Sequence, residues 1–162
     1  RAAIQHRGGV VIIGGSAGDF LGEYMGGGVV LVLRVTNDEP VGKYIGSGLV
    51  GGRIYIRGDD VPLDSVGLAP SSRRLKRYVE YLYRSGRIGE EEYRRVLSGD
   101  FAAAPPHLRK LWGGSLRVER RHLTDEEVEE LAPYVAKFNA FFNLNVDISR
   151  EVFTVVSRGH EL

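Results

Sequence analysis

The chain has 162 residues, enough for one folded domain with a buried core, and its formal net charge at pH 7 is +1. This balanced charge argues against binding to nucleic acid or to an acidic membrane surface. The sequence contains no cysteine, which excludes disulfides, thiolate metal sites, iron–sulfur clusters and a cysteine nucleophile within this chain. No apolar run reaches the roughly 18 residues of a membrane span and no signal peptide is recognisable, so we expect a cytoplasmic protein. The single Gln, the single Met and the preference for Arg over Lys are typical of a thermophile.

The first sixty residues are rich in glycine and repeat themselves. Fifteen of the 22 glycines lie before residue 60. The segment Gly18–Gly22 aligns with Gly42–Gly46, and the block Gly27–Val32 aligns with Gly51–Ile56, both at an offset of 24 residues. A shorter copy, Gly8–Ile13, precedes Gly27–Val32 at an offset of 19 residues. A period of this length is typical of a chain that stacks on itself.

The segments between the glycines indicate strands rather than helices. A glycine inside a helix costs about 1 kcal/mol relative to alanine, and the intervening runs are short and rich in Val, Ile, Leu and Tyr. The pattern predicts a short, single-stranded, right-handed parallel β-helix of about three coils over residues 1–62, followed by a mostly helical extension over 63–162. In this prediction Val11, Val30 and Ile54 form one ladder, and Phe20 stacks on Tyr44.

Two short helices are predicted after the coils. The apolar residues between Leu75 and Leu82 recur at helical spacing, and Ser71 or Ser72 can cap the start of this helix while Gly86 ends it. A second helix is expected from Glu90 to Leu97. Arginines and lysine on the first helix form a basic face, which we interpret as a solvated surface because Glu90–Glu92 follow directly.

The remainder of the extension combines strands and a longer helix. The run Gly113–Val118 resembles one more Gly-Gly-strand unit. Thr124 and Glu127 have the spacing of a capping box ahead of an apolar helical stripe, and Pro133 predicts that this helix is kinked or split. The helix ends in Phe138, Phe141 and Phe142, which either belong to the core or form a docking patch. A final strand is expected near residues 153–157.

The segment Gly14–Gly18 allows two enzymatic interpretations. After an apolar run, it resembles the phosphate-binding turn of flavin- or nicotinamide-dependent oxidoreductases, but the helix that should follow would contain Gly22 and Gly26. It also has the Gly-x-Ser-x-Gly pattern of an esterase with Ser16 as nucleophile. A plain glycine turn is the simpler interpretation. The four histidines lack metal-ligand spacing, so the sequence predicts no catalytic, cofactor-binding or metal-binding residue.

The glycine spacing resembles a known family. The residues Gly15, Gly18, Gly22 and Gly26, followed by Gly27–Val32, are similar to the glycine-repeat (GXGXG) domain at the C-terminus of the large subunit of glutamate synthase. The helix Leu131–Phe142 and the strand Phe153–Val156 resemble the ending of stand-alone archaeal versions. A subunit of formylmethanofuran dehydrogenase forms another branch of this family.

The resemblance implies a structural role. In glutamate synthase, ammonia released by a glutaminase domain travels to an FMN-containing synthase domain, and the glycine-repeat domain helps to hold these parts together. We therefore expect a non-catalytic subunit or domain of a glutamate-synthase-like assembly. FMN and an iron–sulfur cluster are expected on the partner subunits, with none bound by this chain. The expected partners are the FMN-binding synthase part and the glutaminase part, with self-association through the open end of the repeats as a further possibility.

Overall fold

A computed structural model describes residues 1–36, 39–68, 73–98, 100 and 116–159. Five strands form one mixed sheet in the order β1-β2-β3-β5-β4. The first three strands pair in parallel, and β5 runs antiparallel to both β3 and β4. The strands are β1 Val10–Ile13, β2 Gly26–Val32, β3 Gly51–Arg57, β4 Leu116–His122 and β5 Val152–Arg158.

The described helices follow the repeats along the chain. A short 3-10 helix covers Leu63–Ser65, and three α-helices follow: α1 Arg73–Arg84, α2 Glu90–Ser98 and α3 Asp125–Phe142. The predicted capping box at the start of α3 is confirmed, because Thr124 accepts a hydrogen bond from the Glu127 backbone while the Glu127 side chain accepts one from the Thr124 backbone.

The predicted ladder of the repeats is confirmed. Val11 pairs with Val30, and Val30 pairs with Ile54, so the sequence offsets of 19 and 24 residues become strand register. The rings of Phe20 and Tyr44 also lie next to each other, with 5.0 Å between their centroids. The repeat was readable because equivalent residues of successive units occupy neighbouring places in space.

The predicted right-handed parallel β-helix is wrong. Beyond β3 the sheet continues into β5 and β4, which are antiparallel and belong to the C-terminal part of the chain. The strand order and the mixture of parallel and antiparallel pairs therefore indicate an open five-stranded sheet, accompanied by three α-helices in the described residues. The prediction extended the parallel pattern of the first three strands to the whole β-structure, whereas β3 pairs on its far side with a strand about a hundred residues later in the sequence.

The three repeat units share an unusual backbone conformation. We number them by equivalent residues as 1–13, 20–32 and 44–56. Equivalent positions have positive φ in all three units, as in Gln5 (54°), Tyr24 (54°) and Gly48 (70°). Only one of these three is glycine, although the left-handed region costs other residues about 1–2 kcal/mol. The repeat unit is therefore defined by its backbone conformation. Glycine favours the left-handed positions, but other residues also occupy them.

Close approach between units is the second reason for the glycines. A Cβ atom built on Gly27 would lie 2.5 Å from the carbonyl oxygen of Arg7 in the first unit. The equivalent Gly51 would place a Cβ 2.5 Å from the carbonyl oxygen of Gly26. No side chain fits at either position, because the obstacle is backbone rather than a movable side chain.

The sheet separates two hydrophobic layers. On one face, Val30, Ile54 and Val156 pack with turn residues of the repeats, including Leu21 and Ile45. On the other face, a second cluster joins the sheet to α3, with the following members: Val29, Leu31, Tyr55, Phe153, Val155, Leu131 and Val135. The hairpin of α1 and α2 has a smaller cluster of its own, formed by Val79, Leu82, Ile88 and Val96.

Pro133 was predicted to kink or split its helix, and the split is wrong. The helix α3 continues from Asp125 to Phe142 with Pro133 inside it. A proline in a helix interior costs about 3 kcal/mol, but Leu131 and Val135 on either side are buried against the sheet, and this packing stabilises the helix across Pro133. The predicted cap at Ser71 or Ser72 and the glycines of Gly113–Val118 lie outside the described residues.

Candidate functional site

The turn Gly14–Gly18 lacks the helix that both enzymatic interpretations require. After β1 the chain passes through bends and turns as far as Tyr24, and then enters β2. The turn itself packs against α3, since a Cβ on Gly14 would lie 2.9 Å from the Phe138 ring. No helix N-terminus is therefore available to bind a pyrophosphate at this turn.

Ser16 likewise lacks the surroundings of a nucleophile. Its hydroxyl oxygen is buried and forms no hydrogen bond with the described residues, so no base is in place to accept its proton. Of the described histidines, His6 contacts the carbonyl oxygen of Gly9 at 3.2 Å, and His122 lies on β4. His107 and His160 are outside the described residues.

The most closely connected ionisable groups lie between the sheet and α3. Tyr55 is fully buried and donates a hydrogen bond to Glu127, which also accepts one from Arg121 at 2.6 Å. Burial and the bond to Glu127 raise the pKa of the Tyr55 hydroxyl. Desolvation alone would raise the pKa of Glu127, but the hydrogen bonds from Arg121, the Thr124 backbone and Tyr55 outweigh it and lower this pKa to about 2.

These pKa shifts point to a structural role for the cluster. A general acid or base works best with a pKa near the operating pH, whereas the shifts keep Tyr55 protonated and Glu127 ionised. The charge is balanced by Arg121, and Arg53 forms a neighbouring pair with Glu130 at 2.8 Å. The cluster thus connects α3 to β3 and β4. The sequence predicted Glu127 as a capping residue but not its contact with Tyr55, because the two residues are 72 positions apart and share no local pattern.

A mixed-charge cleft of about 580 Å³ lies where β2 and β3 end. Arg34 donates hydrogen bonds of 2.6 and 3.1 Å to the Asp60 carboxylate, and Arg57 pairs with Glu151 at 3.0 Å. The hydrogen bond from Arg34 is the main reason why the pKa of Asp60 lies below its ordinary value. Because each of these arginines has an acidic partner, the cleft holds no clear excess of positive charge for an anion.

Apolar side chains are exposed on the turns of the repeats. The turns lie side by side, since the backbone of Gln5 bonds to Glu23 and that of Tyr24 bonds to Ser47. Ile4, Tyr24 and Val50, one residue from each unit, are 47%, 56% and 59% exposed. We call these three residues the turn face.

A second apolar surface lies at the β1 edge of the sheet. All four residues of β1 are apolar and half-buried. The helix α3 runs beside this strand, because Tyr134 and Val10 line one cleft of about 420 Å³ while Phe138 packs against Gly14. The ring centroids of Phe142 and Phe138 are 4.9 Å apart, but Phe142 is 64% exposed and Phe141 is 85% exposed. Of the predicted aromatic cluster, Phe138 therefore packs against the core, and Phe141 and Phe142 are on the surface.

The described residues offer no cluster of His, Asp and Glu side chains that could hold a metal ion. Among the helices within the described ranges, none is long and apolar enough to cross a membrane.

Comparison with known proteins finds a family model that matches the repeats. Residues 1–66 match the family model described as "GXGXG motif". The chain is also 33% identical over 117 residues to the uncharacterized protein MJ1350 of Methanocaldococcus jannaschii, an alignment that covers 64% of this chain and 44% of that protein. The chain therefore spans less than half the length of this relative. No solved structure matches the chain significantly.

Proposed function

We propose that this chain is a non-catalytic structural subunit or domain of a glutamate-synthase-like assembly. Its role is to hold a glutaminase part and an FMN-binding synthase part in a fixed relation. The match of residues 1–66 to the GXGXG motif supports this proposal, because it covers all three repeat units. The motif resembles a domain of glutamate synthase that serves as a frame.

The single observation that carries the proposal is the turn face. Its three exposed apolar residues come from three units whose turns are joined by backbone hydrogen bonds, so their relative positions are fixed. Exposed apolar side chains on a rigid surface are suited to a protein contact site. A partner that binds there would bury Tyr24, and tyrosine is enriched among the residues that dominate binding energy.

The chemistry of the assembly resides on the partners in this proposal. Glutamine hydrolysis and electron transfer require a nucleophile, FMN and an iron–sulfur cluster. This chain has no cysteine to ligate such a cluster or to attack an amide. What it supplies is a rigid surface, since the positions of the turn residues depend on backbone contacts between units.

Affinity purification of the tagged chain from its own host tests the proposal. We expect it to bring down an FMN-binding protein, visible as yellow colour, and a glutaminase. The double substitution Tyr24→Ser and Val50→Ser should reduce the recovered partner at least about tenfold, because it removes the apolar contact without touching the core.

The matched control is Tyr81→Ser, which changes an equally exposed tyrosine on α1 and should leave partner recovery unchanged. A wild-type chain that is recovered alone would disprove the proposed role. Recovery of the partner at wild-type levels by the Tyr24→Ser and Val50→Ser variant would disprove the assignment of the turn face.

A further inference from the structure

The two edge strands of the sheet differ in their protection. The strand β4 carries Arg117, Glu119 and Arg121, which form ion pairs along it. Charged side chains of this kind discourage pairing with another strand. The strand β1 consists only of Val and Ile, with no charge and no proline, and within the described residues it pairs only with β2. Its outer edge therefore has no strand partner within these residues.

Both hydrophobic layers continue to β1 and end there. Val11 and Ile13 pack on the layer that contains the turns, while Val10 and Ile12 pack on the layer beneath α3. These side chains are only half-buried, although Val30, the partner of Val11 in β2, is fully buried. A strand that covers β1 must therefore be apolar on both faces.

We propose that this strand is β1 of a second copy of the chain, paired antiparallel about a twofold axis. The run Val10–Ile13 of a second copy has the properties that a covering strand needs, because it is apolar on both faces and uncharged. An antiparallel twofold arrangement closes after two copies and joins the sheets into one of ten strands. The dimer goes beyond the proposed function and does not depend on it.

The helix beside β1 supports the antiparallel direction. Tyr134 lies near the start of β1, and Phe138 lies near its end. Antiparallel pairing places the start of one strand beside the end of the other. The exposed Phe141 and Phe142 of one copy then approach Tyr134 of the other copy, so that both ends of the interface bury aromatic surface.

Charge at the ends of the strand is also complementary. The last turn of α3 contains no basic residue, so the helix dipole leaves this end with a partial negative charge. Arg7 is exposed just before β1. The antiparallel arrangement brings Arg7 of one copy to the end of the sheet where α3 of the other copy terminates.

Sedimentation equilibrium of the full chain tests the dimer. We expect twice the 17.9 kDa of one chain at micromolar concentration. The double substitution Phe141→Ser and Phe142→Ser should weaken the dimer at least about tenfold, because it removes exposed aromatic surface from the interface. Leu63→Ser, which changes an exposed apolar residue of the 3-10 helix, should leave the dimer unchanged.

Cysteine scanning tests the pairing itself, because the chain has no cysteine of its own. Single substitutions to cysteine at residues 10–13 should give a disulfide-linked dimer at the position nearest the twofold axis, where Cα atoms come within about 5.5 Å. Arg117→Cys on β4 should stay unlinked. A monomeric chain would overturn the proposal. Equal linking at β4, or a dimer unaffected by the phenylalanine substitutions, would overturn the arrangement.

Discussion

The parallel and antiparallel halves of the sheet are held together in different ways. In β1–β3, neighbouring units approach until backbone meets backbone, and the same left-handed positions recur in each unit. In β5 and β4, side chains contact residues distant in the sequence, such as Thr154 with the Gly58 carbonyl and Arg120 with the Val61 carbonyl. The comparison indicates that the first half is specified by backbone shape and the second by particular side-chain pairs.

The largest expected effect follows from filling a backbone contact. Gly27→Ala would place a methyl group 2.5 Å from the Arg7 carbonyl oxygen, so the first two units must move apart. We expect a loss of about 3 kcal/mol in the free energy of unfolding, at the upper end of the range for overpacked sites. Urea unfolding followed by circular dichroism measures this loss.

Gly8→Ala is the matched control in the same sequence context. A Cβ on Gly8 would have no heavy atom within 4 Å, so the change should stay within about 0.5 kcal/mol. Similar losses for the two variants would mean that the loss at Gly27 does not come from its contact with the Arg7 carbonyl oxygen.

An intermediate effect is expected from the side-chain half. Glu127→Gln removes the charge that pairs with Arg121 and weakens the cap of α3, and it should cost about 1–3 kcal/mol. Because the pKa of Glu127 is about 2 in the folded protein and 4.5 ordinarily, its ionisation stabilises the fold fully above 4.5 and progressively less as the pH falls toward 2. The wild type should therefore lose more stability than the variant over this interval.

Unfolding of both proteins at neutral pH and at several pH values between these two pKa values checks the prediction. Glu126→Gln, an exposed neighbour in the same helical turn, should change stability by less than about 0.5 kcal/mol. Parallel pH profiles for the wild type and Glu127→Gln would show that the carboxylate contributes nothing through its ionisation.

The same comparison explains what the sequence could predict. The ladder Val11–Val30–Ile54 was predictable because repetition in sequence becomes adjacency in space. The capping box at Thr124 was predictable because it is local. The antiparallel addition of β5 to β3 was not, since Arg53 and Ser157 are paired across more than a hundred residues without a shared pattern.

The exposed apolar residues were also only partly predictable from the sequence. The aromatic cluster at the end of α3 was visible in the sequence, but periodicity alone did not separate the packed Phe138 from the exposed Phe141. Their difference depends on which side of α3 faces Gly14, and that orientation is set by the long-range pairing of the sheet. The turn face was missed because Ile4, Tyr24 and Val50 occupy different positions within their units.

The smallest expected effect concerns left-handed positions that lack glycine. Gln5 has a φ of 54°, whereas the equivalent residue of the third unit is Gly48. Gln5→Gly should relieve about 1–2 kcal/mol of backbone strain and lose about 0.5–1 kcal/mol through the greater flexibility of the unfolded chain. We expect a net gain of about 0.5 kcal/mol, measured by urea unfolding. Lys43→Gly, at an exposed position without positive φ, should instead lose up to about 1 kcal/mol. A loss at Gln5 as large as that at Lys43 would mean that the left-handed backbone conformation of Gln5 is unstrained. The side chains of the first unit, rather than its contacts with the second unit, would then set this conformation.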